Sequence, residues 1–155
     1  MGNASYTLSL KRQTLTHTYT LTLMGLDSVI DREYVPLDKD MKLGDLVHSL
    51  SKTRGGLLPV LDKAGNLLGE VDMNKLRHIV FRTELYSHFL VSQLMTQPQT
   101  RLRLGDPMED VMAAFDKYHA EQLPVMDSDN HLIGYVSRAH IYTQYRDMVA
   151  DLSTE

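Results

Sequence analysis

Leu58-Pro59-Val60-Leu61-Asp62 and Leu123-Pro124-Val125-Met126-Asp127 stand sixty-five residues apart, and their likeness decides how the chain is read. At the same offset Leu67-Leu68-Gly69 meets Leu132-Ile133-Gly134, and Val71 meets Val136. Seven of the fourteen positions between 58–71 and 123–136 are identical. Working outward, the register persists without a gap: Leu37 falls on Leu102, Asp45 on Asp110, Leu50 on Phe115, and Val29-Ile30 on Leu94-Met95. Chance supplies an isolated Leu-Pro-Val, but not one register over such a span. The chain is a duplication of one supersecondary unit.

Each copy carries the same local signals. Leu43, Leu46, Val47 and Leu50 recur at the spacing of an amphipathic helix over 43–53, and Met108, Val111, Met112 and Phe115 repeat it over 108–119. In the second copy Asp106 is the expected N-cap, with Pro107 at the first helical position and Glu109 and Asp110 in the first turn. Strands follow at 57–61 and 122–126. Lys63-Ala64-Gly65-Asn66 and Asp127-Ser128-Asp129-Asn130 are polar turn clusters leading to strands 67–71 and 132–136, so each copy contains a hairpin. Short strands near 34–37 and 100–102 precede the first helices, and second helices are expected at 73–81 and 138–146. A copy of about 55 residues is too small to bury both faces of a three-stranded sheet alone. The expected fold class is therefore α/β (α+β in some schemes): two β-α-β-β-α repeats, packed sheet to sheet with pseudo-twofold symmetry and sharing one core. Residues 1–22, rich in Thr, Ser and Tyr, read as a linker or extended lead-in. Repeat one then spans 23–81, repeat two 82–146, and a tail 147–155.

Composition narrows the function classes. The chain has 155 residues, a formal charge of −4 and no cysteine. Without cysteine there is no disulfide scaffold, thiolate zinc site or cysteine nucleophile. The acidic balance argues against wholesale capture of a nucleic-acid backbone. No apolar run approaches the roughly 18 residues of a membrane span, so the fragment is expected to be soluble. Seven histidines form no His-x-x-x-His pair or Glu-x-x-His motif. Gly55-Gly56 lacks the rest of a phosphate-binding loop and reads as a turn. Asp127, Asp129 and His131 alternate as calcium ligands do, but the sixth-position glycine and twelfth-position glutamate are missing, so a hairpin turn explains them better. The nine methionines fall mostly at core positions. No catalytic constellation emerges, and the chain is read as a non-enzyme.

A β-α-β-β-α unit in tandem, carrying Leu-Pro-Val-x-Asp, Leu-(Leu/Ile)-Gly-x-Val and Val91-Ser92-Gln93-Leu94-Met95-Thr96 at the opening of copy two, resembles a pair of CBS domains, the Bateman module, over about residues 24–146. A narrower likeness lies in Leu21-Thr22-Leu23-Met24, Asp27-Ser28-Val29-Ile30 and Phe81-Arg82-Thr83-Glu84-Leu85-Tyr86. With the Tyr6-Thr7-Leu8 and Leu15-Thr16-His17 stretches, these resemble the cytoplasmic C-terminal region of bacterial ClC-type chloride channels and transporters. The resemblance implies a regulatory domain on the cytoplasmic side of the inner membrane. Its partners would be the transmembrane anion-transport domain of the same full-length chain and a second copy, docked through the CBS helices. The exposed sides of helices 43–53 and 108–119 are the candidate dimer surface, unless their stripes are internal core.

The resemblance also implies adenine nucleotides, ATP, ADP or AMP, in clefts between the copies; no cofactor is otherwise required. In the family, ribose is held by an Asp three residues after a Ser/Thr that ends the second hairpin strand. Copy two has Ser137 but places His140 where Asp is expected, and copy one places Asp72 and Lys75 at the two positions. Copy two is the better candidate, with Thr100, Gln122, Leu123, Pro124, Ser137, Arg138 and His140 as the nucleotide-site residues. Against it stands the favoured reading, in which Ser137 caps the following helix with Arg138 and His140 solvated. Two alternatives keep the fold: a nucleotide-sensing subunit of a soluble enzyme or another transporter, and an interaction scaffold without a small ligand.

Overall fold

The computed structural model describes residues 11–13, 17, 20, 23–50 and 56–153. In chain order, helix α1 is Leu43–Ser49, strands β1 and β2 are Leu57–Leu61 and Leu67–Asp72, and a 3-10 turn at Met73–Leu76 runs into α2, Arg77–Val80. A second 3-10 turn at Thr83–Leu85 and the short helix α3, Val91–Leu94, lead into repeat two. There β3 (Leu102–Arg103), α4 (Met108–Tyr118), β4 (Gln122–Met126), β5 (Leu132–Ser137) and α5 (Arg138–Ser153) follow.

The two hairpins superimpose residue on residue. Pro59 pairs with Glu70 and Val60 with Gly69; Pro124 pairs with Tyr135 and Val125 with Gly134. Both ladders slip at the same place, Val60/Leu61 and Val125/Met126. Leu37 bridges Val60 in parallel, as Leu102 pairs with Val125. Each repeat also lends one residue to the other's sheet: Asp31 bridges Tyr135, and Thr96 bridges Glu70. Asn66 bridges its own counterpart, His131, so the pseudo-twofold axis runs between the two turns.

The sheets face one another as expected, but the core is divided. Leu37, Leu43, Leu46, Val60 and Val71 enclose one cluster, and Leu102, Val111, Phe115, Val125 and Val136 its counterpart. A third group, Leu67, Met126, Leu132 and Tyr135, closes the interface between them. Each repeat covers one face of its sheet with helices and leaves the other for its partner. The apolar stripes of α1 and α4 turn inward: Leu43, Leu46, Val111 and Phe115 are fully buried. Those residues belong to the core, while Val47, Leu50 and Met112 of the same stripes are half-buried.

Three local expectations need correction. Asp106 does not cap α4: its carboxylate accepts the Arg103 N–H at 2.9 Å, and the extended Pro107 takes the cap position. The lead-in is not extended where it is described, since residues 11–13, 17 and 20 are helical. His17 Nδ1 lies 2.7 Å from the Tyr145 hydroxyl on α5. The last helix, expected over 138–146, runs on to Ser153.

Candidate functional site

A cleft of about 330 Å³ opens between the repeats, at the lower end of the roughly 300–1,000 Å³ typical of small-molecule sites. Repeat one supplies Gly56, Leu57, Glu70, Asp72, Asn74 and Lys75 from the end of its hairpin; repeat two supplies Thr96, Gln97 and Gln99 and the turn His119–Leu123. Local chemistry fixes both walls. Asp72 Oδ1 accepts the Asn74 N–H at 3.0 Å, which starts the 3-10 turn and turns Lys75 out beside it. The Gly56 carbonyl accepts the Met73 N–H at 2.7 Å, and a Cβ on Gly56 would come within 2.9 Å of the Asn74 amide. On the other wall, α4 ends at His119 in a left-handed conformation (φ 51°), which swings the chain across to β4.

At the inner end lies Glu70. It is 7% exposed, and its Oε2 accepts the Tyr135 hydroxyl at 2.7 Å. Its backbone is fixed by Thr96, with N–H···O distances of 2.7 and 2.8 Å. Burial pushes its carboxyl above the usual range, opposed by the Tyr135 hydrogen bond and the Arg101 charge. Burial and the adjoining carboxylate push the Tyr135 phenol upward as well. The pair links the two repeats at the axis.

Of the residues singled out from sequence, Gln122 and Leu123 border this cleft. Pro124 is buried in β4, and Thr100 precedes β3. Gln122 and Ser137 are cross-strand partners, but Ser137, Arg138 and His140 are not among the cleft's lining residues. Ser137 Oγ accepts the His140 N–H at 3.0 Å, the geometry of a helix cap. The Arg138 guanidinium donates to Asp116 at 2.7 Å and lies over the Tyr142 ring. Thus the described cleft belongs to the Asp72/Lys75 side. Its symmetry mate would draw on positions 54 and 55, which lie outside the described residues. Sequence reasoning missed Glu70, Thr96 and Gln97 because it examined each copy by itself, whereas the cleft takes one wall from each.

Asp127, Asp129 and His131 bring ligand-capable atoms within 4.8 Å of one another. Their hydrogen bonds are those of a turn, as the sequence suggests: Asp127 Oδ1 accepts the N–H groups of Asp129 and His131. Asp62 does the same for Ala64 and Asn66 in repeat one.

The profile of the CBS domain matches residues 26–82 and 91–147, one match per repeat. The chain belongs to the CBS domain family. No curated protein matches it. Solved structures share the fold at low identity. The CBS domain of a bacterial CNNM/CorC family Mg2+ transporter in complex with ATP aligns with a TM-score of 0.74 and 13% identity, over 88% of this chain and 97% of that one. CbpB in complex with c-di-AMP aligns at 0.71 and 13%, over 92% and 98%. The cytosolic domain of the Mg2+ channel MgtE in complex with ATP aligns at 0.65 and 18%, over 77% of this chain; the match spans 48% of the MgtE chain. Among the described residues no helix is long and apolar enough to cross a membrane.

Proposed function

We propose that this CBS pair is the regulatory domain of a ClC-type anion channel or transporter, placed on the cytoplasmic side of the membrane and acting by ligand-dependent packing rather than by chemistry. The observation that carries the regulatory reading is the cleft whose walls come from different repeats. A ligand there touches both halves, so it favours one arrangement of the pair over another, and only such differential binding shifts an equilibrium. The ligand class is an adenine nucleoside or nucleotide, on the strength of the ATP and c-di-AMP complexes formed by similar folds. The ClC assignment rests on the 21–30 and 81–86 stretches. Association into a homodimer through the CBS helices belongs to the same reading.

Titration calorimetry of the chain with adenosine, AMP, ADP and ATP tests the sensor role. Binding heat that is lost in Lys75→Ala and retained in Ser137→Ala places the ligand in the described cleft. Silence at millimolar ligand removes the sensor role and leaves a scaffold. The ClC assignment has a separate test: membrane-spanning apolar segments should precede codon 1 in the intact gene, and a soluble catalytic domain there would overturn it. A second reading, a sensor on another transporter, draws on the Mg2+ transport proteins among the structural neighbours.

A further inference from the structure

The charges around the inter-repeat cleft bear on what it accepts. Three carboxylates, Glu70, Asp72 and Glu121, border it, against one ammonium, Lys75, and one imidazole, His119. Arg101 offsets Glu70 electrostatically but does not border the cleft. Its guanidinium donates to the Leu67 carbonyl at 3.0 Å and to Gln97 Oε1 at 3.3 Å. With Glu70 balanced in this way, Asp72 and Glu121 still outnumber Lys75. Neutral hydrogen-bonding side chains also line the cavity: Asn74, Thr96, Gln99 and Gln122, while the Gln97 amide is taken up by the Leu68 carbonyl and Arg101. Amides can donate to and accept from ribose hydroxyls and ring nitrogens without carrying charge.

We infer that the cleft selects against phosphate, and that its ligand is an uncharged adenine nucleoside in preference to a nucleoside polyphosphate. The inference rests on the reading of the cleft as an adenine-ligand site and assigns the class of ligand within it. A carboxylate and a phosphate charge about 7 Å apart in water-like surroundings repel enough to weaken binding about threefold, and each further phosphate adds to the effect. Such a penalty is screened by salt, whereas nucleoside binding through amides is not.

The test is calorimetric titration of the 155-residue chain with adenosine, AMP and ATP, without divalent cations, at low and at high salt. Adenosine should bind tightest and ATP weakest, with the gap between them narrowing at high salt. Asp72→Asn and Glu121→Gln should each tighten ATP by at least about threefold while their melting temperatures stay near that of the parent. Asn is chosen at position 72 because it caps as Asp does. ATP binding tighter than adenosine in the parent protein overturns the charge inference and leaves the adenine site standing. Failure of all three ligands to bind overturns both. Unchanged ATP affinity in both variants, with adenosine still preferred, would move the selectivity away from these carboxylates and sink the assignment.

Discussion

The two repeats share the register of their hairpins but differ at the axis that relates them. There Glu70 of one meets Tyr135 of the other, and Asn66 meets His131. In a dimer of identical subunits, a residue on the axis meets its own copy. Two buried glutamates would repel, and two tyrosines would crowd. Joining the halves in one chain removes that constraint, so the axis holds an acceptor on one side and a donor on the other. Positions 70 and 135 count as mismatches when the repeats are aligned, yet they form a buried side-chain hydrogen bond between the repeats.

The exchanged bridges beside the axis, Asp31 to Tyr135 and Thr96 to Glu70, show the same inequality, and they give the largest expected effect. A Cβ on Gly134 would lie 2.1 Å from the Asp31 carbonyl oxygen, backbone against backbone. At Gly69 the nearest atoms are Met95 Sδ at 2.9 Å and the Thr96 carbonyl at 3.1 Å. A methionine side chain can move aside; a paired backbone cannot without losing its hydrogen bonds. Gly134→Ala should therefore cost about 3 kcal/mol or more, and Gly69→Ala about 1 kcal/mol. Thermal melts read the difference directly, at about 2–4 °C per kcal/mol for a chain of this size. Equal losses in the two variants would mean that the segments at Asp31 and Thr96 are not packed as described.

Next in size is the axial hydrogen bond. Tyr135→Phe keeps the ring and strands the Glu70 carboxyl, at a cost of about 1–3 kcal/mol. Glu70→Gln retains an acceptor for the Tyr135 hydroxyl and removes the buried charge. Because burial raises the Glu70 carboxyl above its ordinary value near 4.5, the folded chain holds that proton to higher pH than the unfolded one. Glu70 then subtracts stability as pH rises from the unfolded value through the folded one, with no further loss above it. Glu70→Gln should match the parent in acid and exceed it at neutral pH. Melting both proteins across that window checks the sign, and a variant that gains ground only on acidification would refute it.

Most of the fold could be read from the repeat because duplicated strands and helices leave duplicated hydrophobic spacing. The Pro59 and Pro124 strands, both hairpins and the pseudo-twofold axis came directly from that register. The site was less legible. Ser137, Arg138 and His140 drew attention as polar residues at a family position. Their partners, the His140 amide, Asp116 and Tyr142, are local. Glu70 is the variable position of Leu-Leu-Gly-x-Val and Thr96 the last residue of the 91–96 motif; neither pattern marks a site, and the two matter because a bridge across the axis brings them together. Nor could spacing show that α4 stops in a left-handed His119 and so turns Glu121 and Gln122 toward the opposite repeat.

The smallest effect separates stability from function at the two corresponding caps. Asp72 accepts the Asn74 N–H and Ser137 accepts the His140 N–H, both at 3.0 Å. Asp and Ser are nearly equivalent as caps, whereas Ala in their place costs about 1 kcal/mol. Ser137→Ala should lower stability by that amount, and the exchanges Asp72→Ser and Ser137→Asp should each stay within about 0.5 kcal/mol of the parent. A loss above about 1.5 kcal/mol for Asp72→Ser would show that folding itself demands a carboxylate there. If the exchanges are neutral, capping gives no reason for Asp in one repeat and Ser in the other. The negative charge at position 72 then has its consequence where it faces a cavity, at the mouth of the cleft.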